Sequence, residues 1–293
     1  MMKTIHFLCG MPFSGNTLLA SILQQNPRFE AAMPGGILDA IYILTKAWPQ
    51  IPEFQTSPNE PGKANVMKNM LQGYYANSSR PIAFDRSRSW IAHLETAELL
   101  IGCDDQSRDR KGATGEKTKA KVIVPVRDLR EILASFELLW RQNASSHQSG
   151  IEQKHYIEMQ TAEGRCAIWL RPEYSVGLPY SRIEDAVHRG FADRLHFVPY
   201  EKLTTDPEKT LADLYHFLGE EPFKHDFKNI QQAGLIDDPV LDFPGVHRIR
   251  PALTPVPPRA SQILGPVADR YKGPYVWSPK PEASSQKAES SNF

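Results

Sequence analysis

Residues 5–26 read IHFLCGMPFSGNTLLASILQQN, and the fold follows from how this stretch is read. It opens as a short apolar segment of strand type, passes through Gly10-Met-Pro-Phe-Ser-Gly15-Asn16-Thr17, and continues with Leu18, Leu19, Ile22 and Leu23 at helical spacing. Strand, glycine loop and helix follow one another without a break. The spacing G-x-x-x-x-G-x-T is that of a phosphate-binding loop, with Asn16 where triphosphate-binding versions carry lysine. Successive backbone N–H groups at the positive end of a helix dipole attract an anion, and Ser14, Asn16 and Thr17 add side-chain donors. The plainer alternative is that Gly10 and Gly15 only make a tight turn. The flanking strand and helix favour the anion site.

Three further segments repeat the pattern. Residues 80–84 (RPIAF) form a short strand candidate that ends in Asp85-Arg86-Ser87-Arg88-Ser89, before a helical run from Trp90. Residues 121–126 (KVIVPV) form the clearest central strand, with Pro125 placed near its end because it donates no ladder hydrogen bond. Arg127 follows, and Asp128-Leu-Arg-Glu131 has the form of a capping box. Ile132, Leu133, Phe136, Leu139 and Trp140 then mark an apolar helix face that also carries Ser135 near one edge. Residues 195–200 (LHFVPY) are the next strand, ending at Tyr200. Thr205 and Glu208 can box the following helix, with Pro207 in its first turn and Gly219 as its C-terminal cap.

Strands alternating with helices imply an α/β fold of three layers, a mostly parallel central sheet flanked by helices. Ligands bind such sheets outside the carboxyl ends of the strands. Those ends hold the glycine loop, Asp85 with Arg86 and Arg88, Arg127, and Tyr200.

Elsewhere the chain is less regular. Asn26-Pro27 stops the first helix, and Met33-Pro-Gly-Gly36 makes a second break expected to lie near the glycine loop. Helices are expected over 37–48 and 66–75, and 49–63 reads as a surface excursion without periodicity. The polar stretch 102–121 reads as a solvated loop, and 143–190 as helices with a mobile lid. One α/β domain over 1–245, a proline-rich segment over 246–278 wrapping it, and a disordered tail over 279–293 complete the expected organisation.

The 293 residues carry 34 basic and 34 acidic side chains, so no global charge points to nucleic acid or to an acidic membrane. Three scattered cysteines, Cys9, Cys103 and Cys166, form neither a disulfide framework nor a metal-ligand pattern. A reducing, cytoplasmic setting is the expectation. No apolar run reaches membrane-spanning length, and the apolar segment at the start is too short for a leader.

With these residues in place the chain resembles the PAPS-dependent sulfotransferases, especially bacterial members, over residues 3–227. GMPFSGNTLLASIL looks like the loop that holds the 5′-phosphosulfate, and VIVPVRDLREILAS, with Arg127 and Ser135, looks like the segment that binds the 3′-phosphate. VPYEKLTTDPEKTLADLYHFLG is similar to the late strand–helix unit, in which Tyr200 would lie beside the adenine nucleotide. The resemblance implies a P-loop-like fold and sulfuryl transfer from PAPS to a hydroxyl or amine of a small molecule, with PAP as product and no metal. It assigns cofactor contacts to Phe13, Ser14, Gly15, Asn16, Thr17, Leu18, Arg127, Ser135 and Tyr200, with Arg248 and Arg250 as further candidates.

Two departures stand out against that family. Phe13 occupies a position that usually carries Arg or Lys directed at the leaving group, and Arg86 and Arg88 are the candidates to replace it. The glutamate that serves as base in tyrosine-sulfating relatives is also missing at 32–34. Glu30, Asp39, Asp85 and His93 are the nearby titratable groups, with Asp85 favoured and His93 the second candidate. A PAP-binding protein without transferase activity is the alternative on the same fold, and a P-loop nucleotide kinase is disfavoured by Asn16.

Overall fold

The computed structural model describes residues 3–32, 35–102, 119–142, 154–234 and 247–278. Residues 103–118 of the solvated loop expected at 102–121, residues 143–153 of the helices and lid expected at 143–190, and the tail expected at 279–293 lie outside the described residues, as do Met33 and Pro34.

A five-stranded, wholly parallel sheet forms the centre. Its strands are β1 (Thr4–Leu8), β2 (Phe29–Glu30), β3 (Ile82–Asp85), β4 (Val122–Val126) and β5 (Leu195–Pro199), in the order β2-β3-β1-β4-β5. Register is set by pairs such as Phe7 with Asp85 and Leu8 with Ile123, and by Val122 through Val126 against Leu195 through Pro199. Pro125 sits inside β4, but its carbonyl is used, accepting from Met11 N at 2.9 Å.

The chain leaves β1 through α1 (Asn16–Leu23) towards β2, and every later crossover runs the opposite way along the sheet. Right-handed crossovers then put α1 on one face and the other connecting helices on the other. The core divides accordingly. One cluster joins Leu19, Ile22 and Leu23 of α1 to Leu8, Phe84 and Ile123, and to Leu211, Leu214 and Tyr215 of α10 (Pro207–Leu218). The other joins Phe7, Val122, Val124 and Val126 to α2 (Ile37–Ala47), α4 (Glu60–Tyr74), α5 (Leu94–Ile101), α6 (Leu129–Gln142), α7 (Ala162–Trp169) and α8 (Gly177–His188). Alternate residues of each strand supply alternate faces.

Several boundaries differ from the sequence reading for local reasons. The excursion at 49–63 contains α3 (Pro52–Thr56) and the start of α4, because Asn59 caps that helix by accepting from Gly62 N at 2.8 Å. The two-residue edge strand β2 was not anticipated, being too short to show alternation. Neither expected capping box forms. Glu131 turns away from Asp128 and accepts from Arg259 N and Ala260 N, each at 2.8 Å. Thr205 ends α9 (Tyr200–Thr205) by donating to Glu201 O, and α10 begins at Pro207 behind Asp206, whose side chain makes no cap hydrogen bond. Gly219 does cap α10, with φ 71°.

The segment from 247 onward is tied to both faces. Ile230 N donates to Pro251 O and Leu253 N to Phe227 O, while α11 (Ala260–Leu264) buries Ala260 and Leu264 in the α6 cluster. No helix among the described residues is long and apolar enough to cross a membrane.

Candidate functional site

The connections at the sheet centre leave β1 and β4 on opposite faces, which opens a crevice beyond their carboxyl ends. The glycine loop and Arg127 meet there. Cys9 N donates to Ile123 O and Met11 N to Pro125 O, so the loop leaves β1 still zipped to β4.

The loop's shape is enforced from inside. Gly15 has φ 88°, and Phe13, the one non-glycine residue with positive φ among those described, has φ 53°. A bulky residue in the left-handed region costs of the order of 1–3 kcal/mol, so neighbours must hold it. Asn16 does so from within, accepting from Gly10 N at 3.0 Å and donating to Met11 O at 2.7 Å. Ser14, almost fully buried, has its hydroxyl 2.6 Å from Met11 O and 2.8 Å from Pro125 O. The Phe13 ring packs edge-on against Phe136 at 5.0 Å between centroids, and Phe136 in turn meets Trp169. Asn16 and Ser14 were expected to donate to a ligand; both are spent on the loop itself, because its reversal leaves carbonyl groups facing inward that need partners.

What remains free is the backbone. Helix α1 begins behind Gly15 with no side-chain cap, and its first ladder bond from outside runs from Leu19 N to Gly15 O. The N–H groups of Phe13, Ser14, Gly15, Asn16, Thr17 and Leu18 have no acceptor among the described residues. They form a row of donors at a helix N-terminus.

Arg127 is 7% exposed, and its guanidinium donates to the Phe13 carbonyl at 3.3 Å. It lies over the Tyr200 ring at 4.7 Å, with Glu131 at 3.6 Å and Glu201 at 4.0 Å. Its Nε is buried without a hydrogen-bond partner. Tyr200 also packs on Gly15, where an added Cβ would come within 2.9 Å of the ring. Glycine at 15 therefore serves both φ and this contact. The Ser135 hydroxyl donates to Glu131 O of its own helix at 2.8 Å.

At the end of β3, Arg86 reaches the loop, with one terminal nitrogen 3.4 Å from the Thr17 hydroxyl. Gly35 packs on the Arg86–Ser87 backbone, where a side chain would clash, so the break before α2 does lie beside this strand end. Asp85 is placed differently from expectation. Its fully buried carboxylate accepts from Tyr75 Oη at 2.8 Å, Trp90 Nε1 at 2.7 Å and Ser87 N at 3.2 Å, and burial pushes its pKa up from the usual carboxylate value. That carboxylate anchors the turn and is closed to an incoming acceptor. The signal for this was the apolar run before it, which continues the buried strand through residue 85.

Arg88 points away into a separate cleft with Arg182. His93 lies half-buried at the start of α5 and makes no cap hydrogen bond. Glu30 is committed to Ala32 N and the Ser78 hydroxyl, and Asp39 is exposed in the first turn of α2. Arg248 and Arg250 are exposed on either side of Ile249, which packs against the α1–α10 cluster. Among the described residues no group of His, Cys, Asp or Glu could hold a metal ion.

The structure thus brings together the donor row of the loop, Arg127, Tyr200 and Arg86. Two donor sets on adjacent strand ends suit a ligand carrying anionic groups at two points.

No curated protein sequence matches the chain. Among solved structures, the sulfotransferase domain of the Synechococcus PCC 7002 olefin synthase is 20% identical, with 94% of this chain and 98% of that one covered and a TM-score of 0.46. The sulfotransferase domain from the curacin biosynthetic pathway is 15% identical, covers 76% of each chain and has a TM-score of 0.45. Retinol dehydratase in complex with androsterone and the inactive cofactor PAP is 12% identical, with 76% of this chain and 62% of that one covered and a TM-score of 0.38. The model of the sulfotransferase family matches residues 118–225, the segment that runs through β4, Arg127, α6, β5 and Tyr200.

Proposed function

We propose that this protein transfers a sulfuryl group from PAPS to a hydroxyl or amine of a small-molecule acceptor. One observation carries the reading: the N–H groups without an acceptor at the start of α1 and the guanidinium of buried Arg127, bonded to the Phe13 carbonyl, lie together at the carboxyl ends of β1 and β4. A 5′-phosphosulfate suits the loop and a 3′-phosphate suits Arg127. Tyr200, stacked between Arg127 and Gly15, offers a ring edge or face to the base.

In the reaction the bond from sulfur to the bridging phosphate oxygen breaks as the acceptor's oxygen or nitrogen bonds to sulfur. The acceptor's proton passes to solvent water, and negative charge grows on the bridging oxygen. Preorganised N–H dipoles stabilise that charge without rearrangement. Phe13 contributes no charge of its own, and Arg86 beside Thr17 takes over the cationic role. The loop asparagine in place of lysine fits a donor with no triphosphate to neutralise.

Titration calorimetry with PAP tests the reading. Binding in the micromolar range or tighter is expected, and a folded protein that leaves PAP unbound would exclude it. A second reading, a PAP-binding protein without transfer, is favoured by one feature only, the Phe13 ring turned into the Phe136 contact. PAP binding without label transfer from radiolabelled PAPS to any acceptor in a broad screen would select it.

A further inference from the structure

A second concavity opens at the same end of the sheet, between the turn after β3 and the start of α8. It encloses about 270 Å³ and is lined by Arg88, Arg182, Glu173, Tyr174, Leu178 and Pro179, with Ser175. That volume is near the lower end for small-molecule sites. Arg88 is exposed, and neither it nor Arg182 has an acidic partner among the described residues; Arg182 only donates to the Ser89 hydroxyl at 3.2 Å.

Unpaired guanidinium groups lining one cleft repel, and other arginines of this protein avoid that. Arg165 holds Glu137, Arg194 holds Glu98, and Arg130 holds Asp128. Two such cations instead match a carboxylate, which takes two parallel N–H donors from one fork and a further donor from the other. Glu173 reduces the cleft's net charge to about one positive unit, which suits a monoanion better than a dianion. Leu178 and Pro179 supply an apolar wall for the body of such a molecule.

The cleft is joined to the donor site through the backbone. Arg86 touches Thr17 and Arg88 lines the cleft, and two residues of chain span at most about 7 Å. The cleft therefore borders the strand end that carries Arg86. We infer that this cleft is the acceptor site and that it selects small acceptors bearing an apolar body and a single carboxylate, recognised by Arg88 and Arg182. This rests on the sulfuryl-transfer reading, but the anion preference can be measured without turnover.

The test uses protein saturated with PAP, so that the donor-site cations are occupied, and titrates 4-hydroxyphenylacetate and its methyl ester by ligand-observed NMR. The acid should bind about tenfold tighter than the ester, as expected for one charge-assisted bidentate contact. Arg88→Gln and Arg182→Gln should each bring the two probes to near equality while PAP affinity stays at the wild-type value. Equal affinity for acid and ester, an advantage of the acid that survives both substitutions, or no binding of either probe at millimolar concentration would each overturn the assignment. Failure of PAP to bind would overturn the donor reading alone, and the acid–ester comparison with its two variants would still decide the cleft.

Discussion

The guanidinium of Arg127 lies 3.3 Å from the carbonyl oxygen of Phe13, so the cation at the end of β4 is bonded directly to the tip of the loop that follows β1. The same contact steadies the one non-glycine residue held at positive φ among those described. Arg127 thus shapes the loop from the neighbouring strand end.

Arg127→Gln should weaken PAP binding by roughly 10- to 100-fold, the range for losing a buried charge-assisted hydrogen bond. Calorimetry on the variant measures it, with thermal unfolding as control because Glu131 loses a cation 3.6 Å away. Unchanged affinity in a folded variant would remove Arg127 from the donor site.

Arg86 separates binding from transfer. Its nearest loop partner is the Thr17 hydroxyl, and its charge is needed most when the leaving oxygen becomes negative. Arg86→Gln should therefore lower kcat by about 100-fold, a loss typical of one transition-state donor, with PAP affinity altered by no more than a few-fold. Parallel losses in both quantities would make Arg86 an ordinary binding residue.

The sheet, the glycine loop and the placement of Arg127 and Tyr200 were legible because each rests on a local pattern, a buried apolar run ending in a turn with a distinctive residue. The fates of individual polar side chains were not. Asn16, Ser14 and Ser135 read as donors, yet each is used by nearby backbone, a choice that depends on which carbonyls the fold turns inward. Asp85 read as the favoured catalytic base and is a buried anchor, because Tyr75 and Trp90 approach it from segments whose convergence no spacing reveals. Glu131 likewise satisfies a helix start 128 residues away.

Restoring a lysine to the loop gives a prediction opposite to motif logic. Asn16→Lys would strand Gly10 N and Met11 O, and the longer chain would meet the space where even a Cβ on Gly10 would overlap Asn16 and come within 2.8 Å of Pro125 O. A loss of about 2–4 kcal/mol in stability is expected from two unsatisfied buried groups, and nucleoside triphosphate binding should not appear. Urea unfolding and an ATP titration read the two halves of this expectation, and a stable ATP-binding variant would contradict both.

Glu137 is a stability site that the helical pattern concealed. Its side chain is fully buried on α6, where it accepts from Arg165 at 2.7 and 2.8 Å and from Arg141 at 2.8 Å. The two arginines hold its pKa below the usual glutamate value against the opposing effect of burial. Glu137→Ala leaves Arg165 buried and uncompensated, at a cost of about 3–5 kcal/mol. Chemical denaturation should show that loss, and a change below 1 kcal/mol would mean that water reaches the pair.

Two buried histidines set the acid limit of the fold. Burial pulls His225 down to about 4 and, with help from the Lys121 charge, His6 down to about 3, from an ordinary 6.5. His225 Nε2 lies 3.1 Å from the Tyr215 hydroxyl, and His6 Nε2 has no partner, so neither ring has a carboxylate to share a proton. Below pH 6.5 the unfolded chain takes up protons that the folded chain refuses. Stability from these groups is therefore complete above about 6.5 and declines as pH falls towards 4. His225 alone accounts for about 3 kcal/mol across that window, at 1.36 kcal/mol per unit. Urea midpoints measured from pH 7.5 to 4.5 should fall steadily below 6.5, and His225→Gln should flatten part of that slope. A slope that is the same in the variant would place the acid sensitivity elsewhere.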